Sequence, residues 1–228
     1  MSSTAPKESS RSGARQQLIA AAEKLFAESG IDAVSLRQIN VAAGQKNSSA
    51  AHYHFGSKDA LILAIYGNRM ASVNVRREAA IDALEAAGQQ QNIRKLVETI
   101  VQPIVEEIDA DASGRHYIGF MAQAMGHPQL DLEALWQQDN NTGLVRLLNH
   151  LRTALPHLEG PLFGQRFGLA FEQIIHSLSD RERLRGTAQF DVNSQMFVSN
   201  LIDSIAGGMS APVSDETQKQ LEKLGLTK

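Results

Sequence analysis

The apolar residues of this chain recur at steps of three and four, the spacing that places them on one face of an α-helix. Alternating runs of β-branched and aromatic residues, which would indicate strands, are scarce among its 228 residues. The sequence therefore predicts an all-α fold. Beyond two short helices near 35–54, the expected helices are 12–29, 57–87, 91–110, 115–126, 131–154, 161–180 and 192–206.

The composition argues against several classes of protein. The chain has no cysteine, which excludes disulfides, thiolate zinc sites and cysteine nucleophiles and suits a cytoplasmic location. No apolar run approaches the roughly 18–20 residues that a membrane span needs. The first ten residues lack an apolar centre, so we expect no secretion signal there and a disordered lead-in over residues 1–11.

Charge is distributed unevenly along the chain. The net charge is -3, yet residues 1–80 hold ten Lys and Arg against six Asp and Glu, and the acidic excess lies beyond them. A basic N-terminal part on an acidic body favours contact with a polyanion such as DNA. A chance scatter of charges would give the same pattern.

A short second helix has a clear start signal. Ser35 stands where an N-cap belongs, and Gln38 can return the hydrogen bond as in a capping box. Val34 and Ile39 occupy the positions of a hydrophobic staple around that cap. The helix halts at Gly44, and one so short must pack on a neighbouring helix to be stable.

The stretch "GQKNSSAAHYHFGSKDAL" then predicts a third helix near 47–54 and a fourth that is capped by Ser57. Its two histidines, His52 and His54, lie about 200° apart around a helix, which does not suit a metal ion. A serine nucleophile would need an acid to orient the histidine, and none is evident. We therefore predict no metal, no cofactor and no catalytic residue.

Two short helices joined by a tight turn form a helix-turn-helix, and this one carries the side chains that DNA recognition needs. Small polar residues at the start of the third helix would let its backbone approach base edges, and donors around it suit phosphate. The residues predicted to contact DNA are Arg37, Lys46, Asn47, Ser48, Ser49, Ala50, His52, Tyr53, His54 and Lys58. Structural alternatives remain for three of them: a core position for Tyr53 or His52, and a solvated charge for Arg37.

From about Arg15 to Tyr66 the chain resembles the tetracycline-repressor (TetR) family of bacterial one-component regulators. The resemblance rests on "LIAAAEKLFAESGIDAVSLRQINVAAG" and "YHFGSKDALILAIY" taken in order. Ten residues separate Gly44 from Phe55, one more than the common family pattern, and His52 stands where a tyrosine is usual.

This resemblance implies a three-helix DNA-binding domain at 12–66, a larger helical domain for ligand binding and dimerisation at 67–210, and a tail at 211–228. The implied function is a homodimeric regulator, most often a repressor, that a small-molecule effector releases from a palindromic DNA operator. The alternatives are a DNA-binding protein that needs no ligand and a small helical enzyme, with Asp139 and His116 as one candidate pair.

Two further sets of residues are expected to serve the C-terminal domain. Apolar residues at helical spacing predict a dimer interface, although the same pattern fits internal core: Phe163, Phe167, Phe171, Ile174, Leu178, Val198, Leu201, Ile202 and Ile205. A soft apolar set predicts the effector pocket, with ordinary core as the alternative: Phe120, Met121, Met125 and Trp136.

Overall fold

A computed structural model describes residues 5–125, 127, 142–158, 160–185 and 194–226, and every regular element within them is a helix. The fold class is all-α, as predicted. The helices are α1 (Ala5–Ser29), α2 (Leu36–Ala42), α3 (Ala50–Phe55), α4 (Lys58–Ala86), α5 (Ile93–Asp109), α6 (Gly114–Met125), α7 (Thr142–Ala154), α8 (Pro161–Leu184), α9 (Ser194–Ser210) and α10 (Asp215–Lys223). None of these helices is long and apolar enough to cross a membrane.

The chain divides into two compact units that are not consecutive in sequence. The head unit comprises residues 1–72 and 107–135, and the body unit comprises residues 73–106 and 136–228. Helices α4 and α5 therefore each contribute to both units. The sequence suggested one boundary near residue 66, because helical spacing says nothing about which distant helix a segment packs against.

In the head unit, α6 packs along α1. The rings of Phe26 and Phe120 stack with their centroids 6.2 Å apart, and both side chains are fully buried. Gly119 lets the two helices approach closely, because a Cβ at this position would lie 3.1 Å from the Cβ of Ala27. This contact explains why α6 belongs with the N-terminal helices.

In the body unit, α8 packs on α9. Three phenylalanines of α8, Phe163, Phe167 and Phe171, stack in series with centroids 6.3 and 6.4 Å apart. The guanidinium of Arg166 donates hydrogen bonds to carbonyls at the end of α9, including that of Met209 at 3.2 Å. Those last carbonyls have no partner within their own helix, so Arg166 fixes the end of α9 against α8.

Several helix ends differ from those expected. The backbone of residues 5–11, predicted to be disordered, continues α1, since a formed helix extends at little cost per residue. α4 runs unbroken through Gly67. The C-terminal segment contains α10, whose cap Ser214 accepts a hydrogen bond from the backbone N–H of Thr217. The expected helix start at 131–141 lies outside the described residues.

Candidate nucleic-acid interface

Local sequence signals set the position of α2. The Oγ of Ser35 accepts from the N–H of Gln38, and the Ser35 N–H donates to the Gln38 Oε1 at 2.8 Å, which completes the predicted capping box. Val34 and Ile39, the predicted staple, are buried. Gly44 then turns the chain with φ +64°, a conformation that a side chain would strain. These features confirm the first half of a helix-turn-helix.

α3 starts later than the sequence indicates. Residues 47–49 precede the helix, which runs from Ala50 to Phe55 and ends at Gly56. In this turn the Asn47 Oδ1 accepts from the N–H of Ser49 at 2.9 Å. This bond is the local alternative to helix that asparagine offers, and it keeps residues 47–49 out of α3.

The start of α4 matches the prediction. The Oγ of Ser57 accepts from the N–H of Ala60 at 3.1 Å and so caps the helix. The ammonium of Lys58 lies over the Phe26 ring, 5.8 Å from its centroid, so a buried ring supports the position of this cation. A helix N-terminus beside a lysine favours anions.

Nine of the ten residues predicted to contact DNA are exposed or half-buried. Seven are exposed: Arg37, Lys46, Asn47, Ser48, Ser49, His52 and Tyr53. His54 and Lys58 are half-buried. Tyr53 is 64% exposed, so its side chain is not part of the core.

Ala50 does not fit the prediction that it contacts bases. Its side chain is 7% exposed, and that of Ala51 is fully buried. The first turn of α3 therefore packs inward on the head unit. In contrast to Ala50 and Ala51, residues 46–49 in the turn before α3 expose their side chains to solvent.

Two exposed neighbours of this surface were not predicted. The Arg15 guanidinium lies 5.2 Å from the centroid of the Phe55 ring and adds a cation beside the end of α3. Val41 on α2 is 74% exposed, one helical turn after Arg37. An apolar side chain in that place suits contact with a thymine methyl group. The sequence held a signal for this exposure. On so short a helix Ile39 supplies the buried apolar side chain, which leaves Val41 to face solvent.

A buried ion-pair cluster holds α4 against α1 within the head unit. Arg69 on α4 makes two hydrogen bonds to Glu23, at 2.7 and 2.8 Å, and one to Glu107 at 3.1 Å. The side chains of Glu23 and Glu107 are 3% and 8% exposed. The hydrogen bond with Glu23 raises the pKa of Arg69 above its usual range. The fourth helix is thereby fixed by charge as well as by packing.

Two other ionisable groups are shifted by their surroundings. In the body unit, hydrogen bonds from Arg146 and then His150 hold the pKa of the Glu85 carboxyl below its usual range. In the head unit, burial and then the charge of Arg115 lower the pKa of His116. His116 has Glu28 at 3.8 Å, whereas its suggested enzymatic partner, Asp139, lies outside the described residues. Within those residues no three His, Asp or Glu side chains gather at one point as metal ligands.

Two of the four expected pocket residues, Phe120 and Met121, have the burial of core residues. Phe120 and Met121 are fully buried on α6, where Phe120 stacks on Phe26. Met125 is half-buried, and Trp136 lies outside the described residues.

The body unit instead contains a cleft of about 350 Å³ between α4 and α5. Four apolar residues and five polar or charged residues line it: Ala80, Ala83, Leu84, Ala87, Gln89, Lys95, Glu98, Thr99 and Gln102.

The expected dimer residues are buried inside a single chain. All nine are 8% exposed or less, and they lie where α8 and α9 pack on each other and on the rest of the body unit. The internal-core alternative therefore fits this stripe in the single chain. A helical apolar stripe shows that a face is covered without showing by what, which is why the sequence did not separate the two cases.

Comparisons with known proteins agree with this architecture. Residues 18–65 match the model of the bacterial regulatory proteins of the tetR family, and residues 98–208 match that of the tetracyclin repressor-like C-terminal domain. A solved TetR-family regulator from Streptomyces coelicolor A3 is 18% identical over 92% of this chain and 100% of its own, with a TM-score of 0.41. No curated protein matches the sequence significantly.

Proposed function

This chain belongs to the TetR family of bacterial regulatory proteins, and from that premise we propose that it is a homodimeric repressor which a small molecule releases from a palindromic operator. Regulation of transcription through DNA binding follows from the family itself. The homodimer, the repression, the effector and an action in the cytoplasm are the proposal. The observation that carries it is the exposed polar turn at 46–49, with the capped start of α4 nearby in the head unit.

The chemistry of this surface divides into two tasks. Lys58 and the α4 N-terminus are suited to phosphate, whose contacts give affinity and position without sequence information. Lys46, Asn47, Ser48 and Ser49 present donors and acceptors of short reach, which suit base edges in a major groove. In a two-fold dimer, two such surfaces would meet half-sites about 34–36 Å apart.

Selection from random duplex DNA with the full chain tests this function. We expect a palindromic motif, and binding that weakens steeply as salt rises because phosphate contacts release counterions. Substitutions among residues 46–49 should change the selected motif. The proposal fails if the purified chain enriches no sequence and binds duplex DNA no better at low salt than a non-binding protein does.

The cleft in the body unit is the proposed effector site. It is concave and mostly apolar with a few polar groups, the usual composition of small-molecule sites. One wall of it is α4, a helix that also belongs to the head unit. A ligand there would alter DNA affinity only if it bound one conformer of the chain better than the other.

A metabolite screen by thermal shift tests the effector site, since a ligand that binds only the folded state raises the melting temperature. Ala83→Phe fills the cleft and should abolish the shift caused by any compound found. Ala79→Phe, an exposed alanine of the same helix outside the cleft, should leave it intact. A compound that lowers operator affinity equally in both variants would place the effector elsewhere, and a screen without any responding compound would favour the ligand-independent alternative.

A further inference from the structure

Asn40 is a polar residue of α2 that is almost completely buried. It is 2% exposed, whereas its neighbours Val41 and Ala42 are exposed. An amide in such a place needs hydrogen-bond partners, because an unpartnered buried polar group is costly. Its partners are therefore informative about what the residue does.

Both partners of the Asn40 amide lie at the start of α3. Its Nδ2 donates to the carbonyl of Ser48, which is in the turn before the helix. Its Oδ1 accepts from the N–H of Ala51 at 2.8 Å, in the first turn of the helix. One side chain of α2 thus holds the last part of the turn and the beginning of α3 in a fixed relation.

The helix does not supply this support for itself. Ser49 is in the N-cap position, but its side chain makes no capping hydrogen bond. The N–H of Ala51 would then be one of the donors that a helix start leaves without a partner. Since Ala51 is fully buried, water has no easy access to that group. Asn40 fills the role of the missing cap from eleven positions away in sequence.

Other hydrogen bonds of the turn are local and do not fix its orientation relative to α2. Asn47 accepts from the N–H of Ser49, and the N–H of Ala50 donates to the Asn47 carbonyl at 3.1 Å. These bonds fix the local shape of residues 47–50, because they join those residues to one another and not to a neighbouring helix. The bond from the Asn40 side chain to the Ser48 carbonyl joins this segment to another helix, α2.

We propose that Asn40 is a positioning residue for sequence recognition: its two hydrogen bonds orient the exposed turn 46–49, and that orientation decides which bases the turn selects. The proposal rests on the proposed function, since it assigns to DNA the surface that Asn40 orients. Asn40 itself is buried and touches no base. Loss of its bonds should relax sequence preference and leave sequence-independent phosphate binding in place.

The test uses two substitutions that share only the loss of both hydrogen bonds. Asn40→Leu keeps a similar volume, and Asn40→Ala leaves space, so a common effect of the two cannot come from size. Each is compared with the wild-type chain for the motif selected from random duplexes, the affinity for that motif, and the affinity and salt slope for an unrelated duplex. The control is Gln38→Ala, which breaks the capping box at the opposite end of α2 and has no bond to α3.

We expect both Asn40 variants to lose about tenfold or more in the ratio of specific to non-specific affinity, with an unchanged salt slope on the unrelated duplex. Gln38→Ala should lower the melting temperature without altering the selected motif. Amide exchange should show faster exchange at Ala51 in the Asn40 variants than in the control. If one variant does not fold, as judged by its circular dichroism, the other carries the comparison.

The outcomes separate the two claims. If the wild-type chain selects a motif and the Asn40 variants select the same one with the same affinity ratio, the positioning role is wrong and the proposed function stands. If Gln38→Ala changes the motif as much as the Asn40 variants do, general loosening of the head explains the effect, and the positioning role is again wrong. If the wild-type chain selects no motif, the proposed function fails and takes this inference with it, whatever the exchange at Ala51.

Discussion

Lys58 illustrates how a single side chain is prepared for phosphate. Its ammonium is over the buried ring of Phe26, at the first turn of a helix capped by Ser57. The ring limits the freedom of a long side chain, so less entropy is lost when the cation meets an anion. In the described part of the chain, no aromatic ring supports Lys46, which lies in the exposed turn, in this way. Lys58 is thus suited to a phosphate contact, whereas the less restrained Lys46 is suited to base edges.

Lys58→Ala should weaken binding to every duplex by a similar factor, because phosphate contacts carry no base information. The slope of log affinity against log salt should become shallower by about one. Titrations of the selected operator and an unrelated duplex over a salt series measure both effects. Lys219→Ala, an exposed lysine of α10, is the control and should change neither. An unchanged slope in Lys58→Ala, or a loss confined to the operator, would contradict the phosphate role.

At the scale of elements, α4 is fixed to α1 by the Arg69 cluster. Arg69→Ala removes a cation that bonds to both Glu23 and Glu107, whose carboxylates are buried. Breaking a buried pair on one side typically costs about 3–5 kcal/mol of unfolding free energy. We expect a loss of this size at neutral pH, measured by chemical denaturation. Arg76→Ala, on the same helix, disturbs a more exposed pair with Glu106 and should cost about 1 kcal/mol or less.

Glu85 joins α4 to α7 in the body unit, and its pH dependence has a definite direction. Arg146 and His150 lower the pKa of this carboxyl, so the folded state favours its ionised form. The stabilisation is present above the ordinary pKa of glutamate and is lost as the pH falls through the lowered value. Glu85→Gln should therefore be less stable than the wild type near pH 7, and the difference should shrink as the pH falls below the ordinary pKa of glutamate.

Unfolding free energies measured over that range test this expectation. Glu222→Gln, an exposed residue of α10, is the control and should follow the wild-type curve. A difference between Glu85→Gln and the wild type that grows on acidification would have the wrong sign for a lowered pKa.

The sequence predicted those elements whose determinants are local. The α2 cap needs Ser35 and Gln38, three residues apart, and the stop after α3 needs Gly56. The start of α3 was predicted too early. The Asn47 bond that keeps residues 47–49 out of the helix is local, but the support that Asn40 gives to the helix start comes from a residue that is distant in sequence and reads as an ordinary helix residue. The packing of α6 on α1 was missed for the same reason: a contact between distant segments leaves no periodic signal.

At the scale of the whole molecule, the two units share α4 and α5 but differ in their proposed tasks. The head unit contains the surface suited to DNA, and the body unit contains the cleft and the exposed faces of α8 and α9. Because the apolar stripe of those two helices is already covered within one chain, a dimer built on them would use the surface that they leave outside. That outer surface includes Leu169, 66% exposed, and Met196, 59% exposed.

Helices α8 and α9 also carry four glycines beside which the chain leaves open space: Gly164, Gly168, Gly207 and Gly208. A Cβ at any of these four positions would meet nothing within 4 Å in the single chain. Helices that carry both glycines and exposed apolar side chains allow a second helix pair to approach closely. We therefore assign the proposed two-fold interface to this outer surface and not to the buried phenylalanine stripe.

Leu169→Glu and Met196→Glu should each shift the chain from dimer to monomer, because a two-fold interface would bring every introduced carboxylate in twice. Sedimentation equilibrium measures the shift, and Val145→Glu, an exposed apolar residue of α7, is the control that should remain dimeric. A monomer has one head and reaches one half-site, so affinity for the palindrome should fall toward that for a half-site. If both variants remain dimeric with the wild-type dissociation constant, the interface lies elsewhere. If the wild-type chain is itself monomeric, the proposed homodimer is wrong.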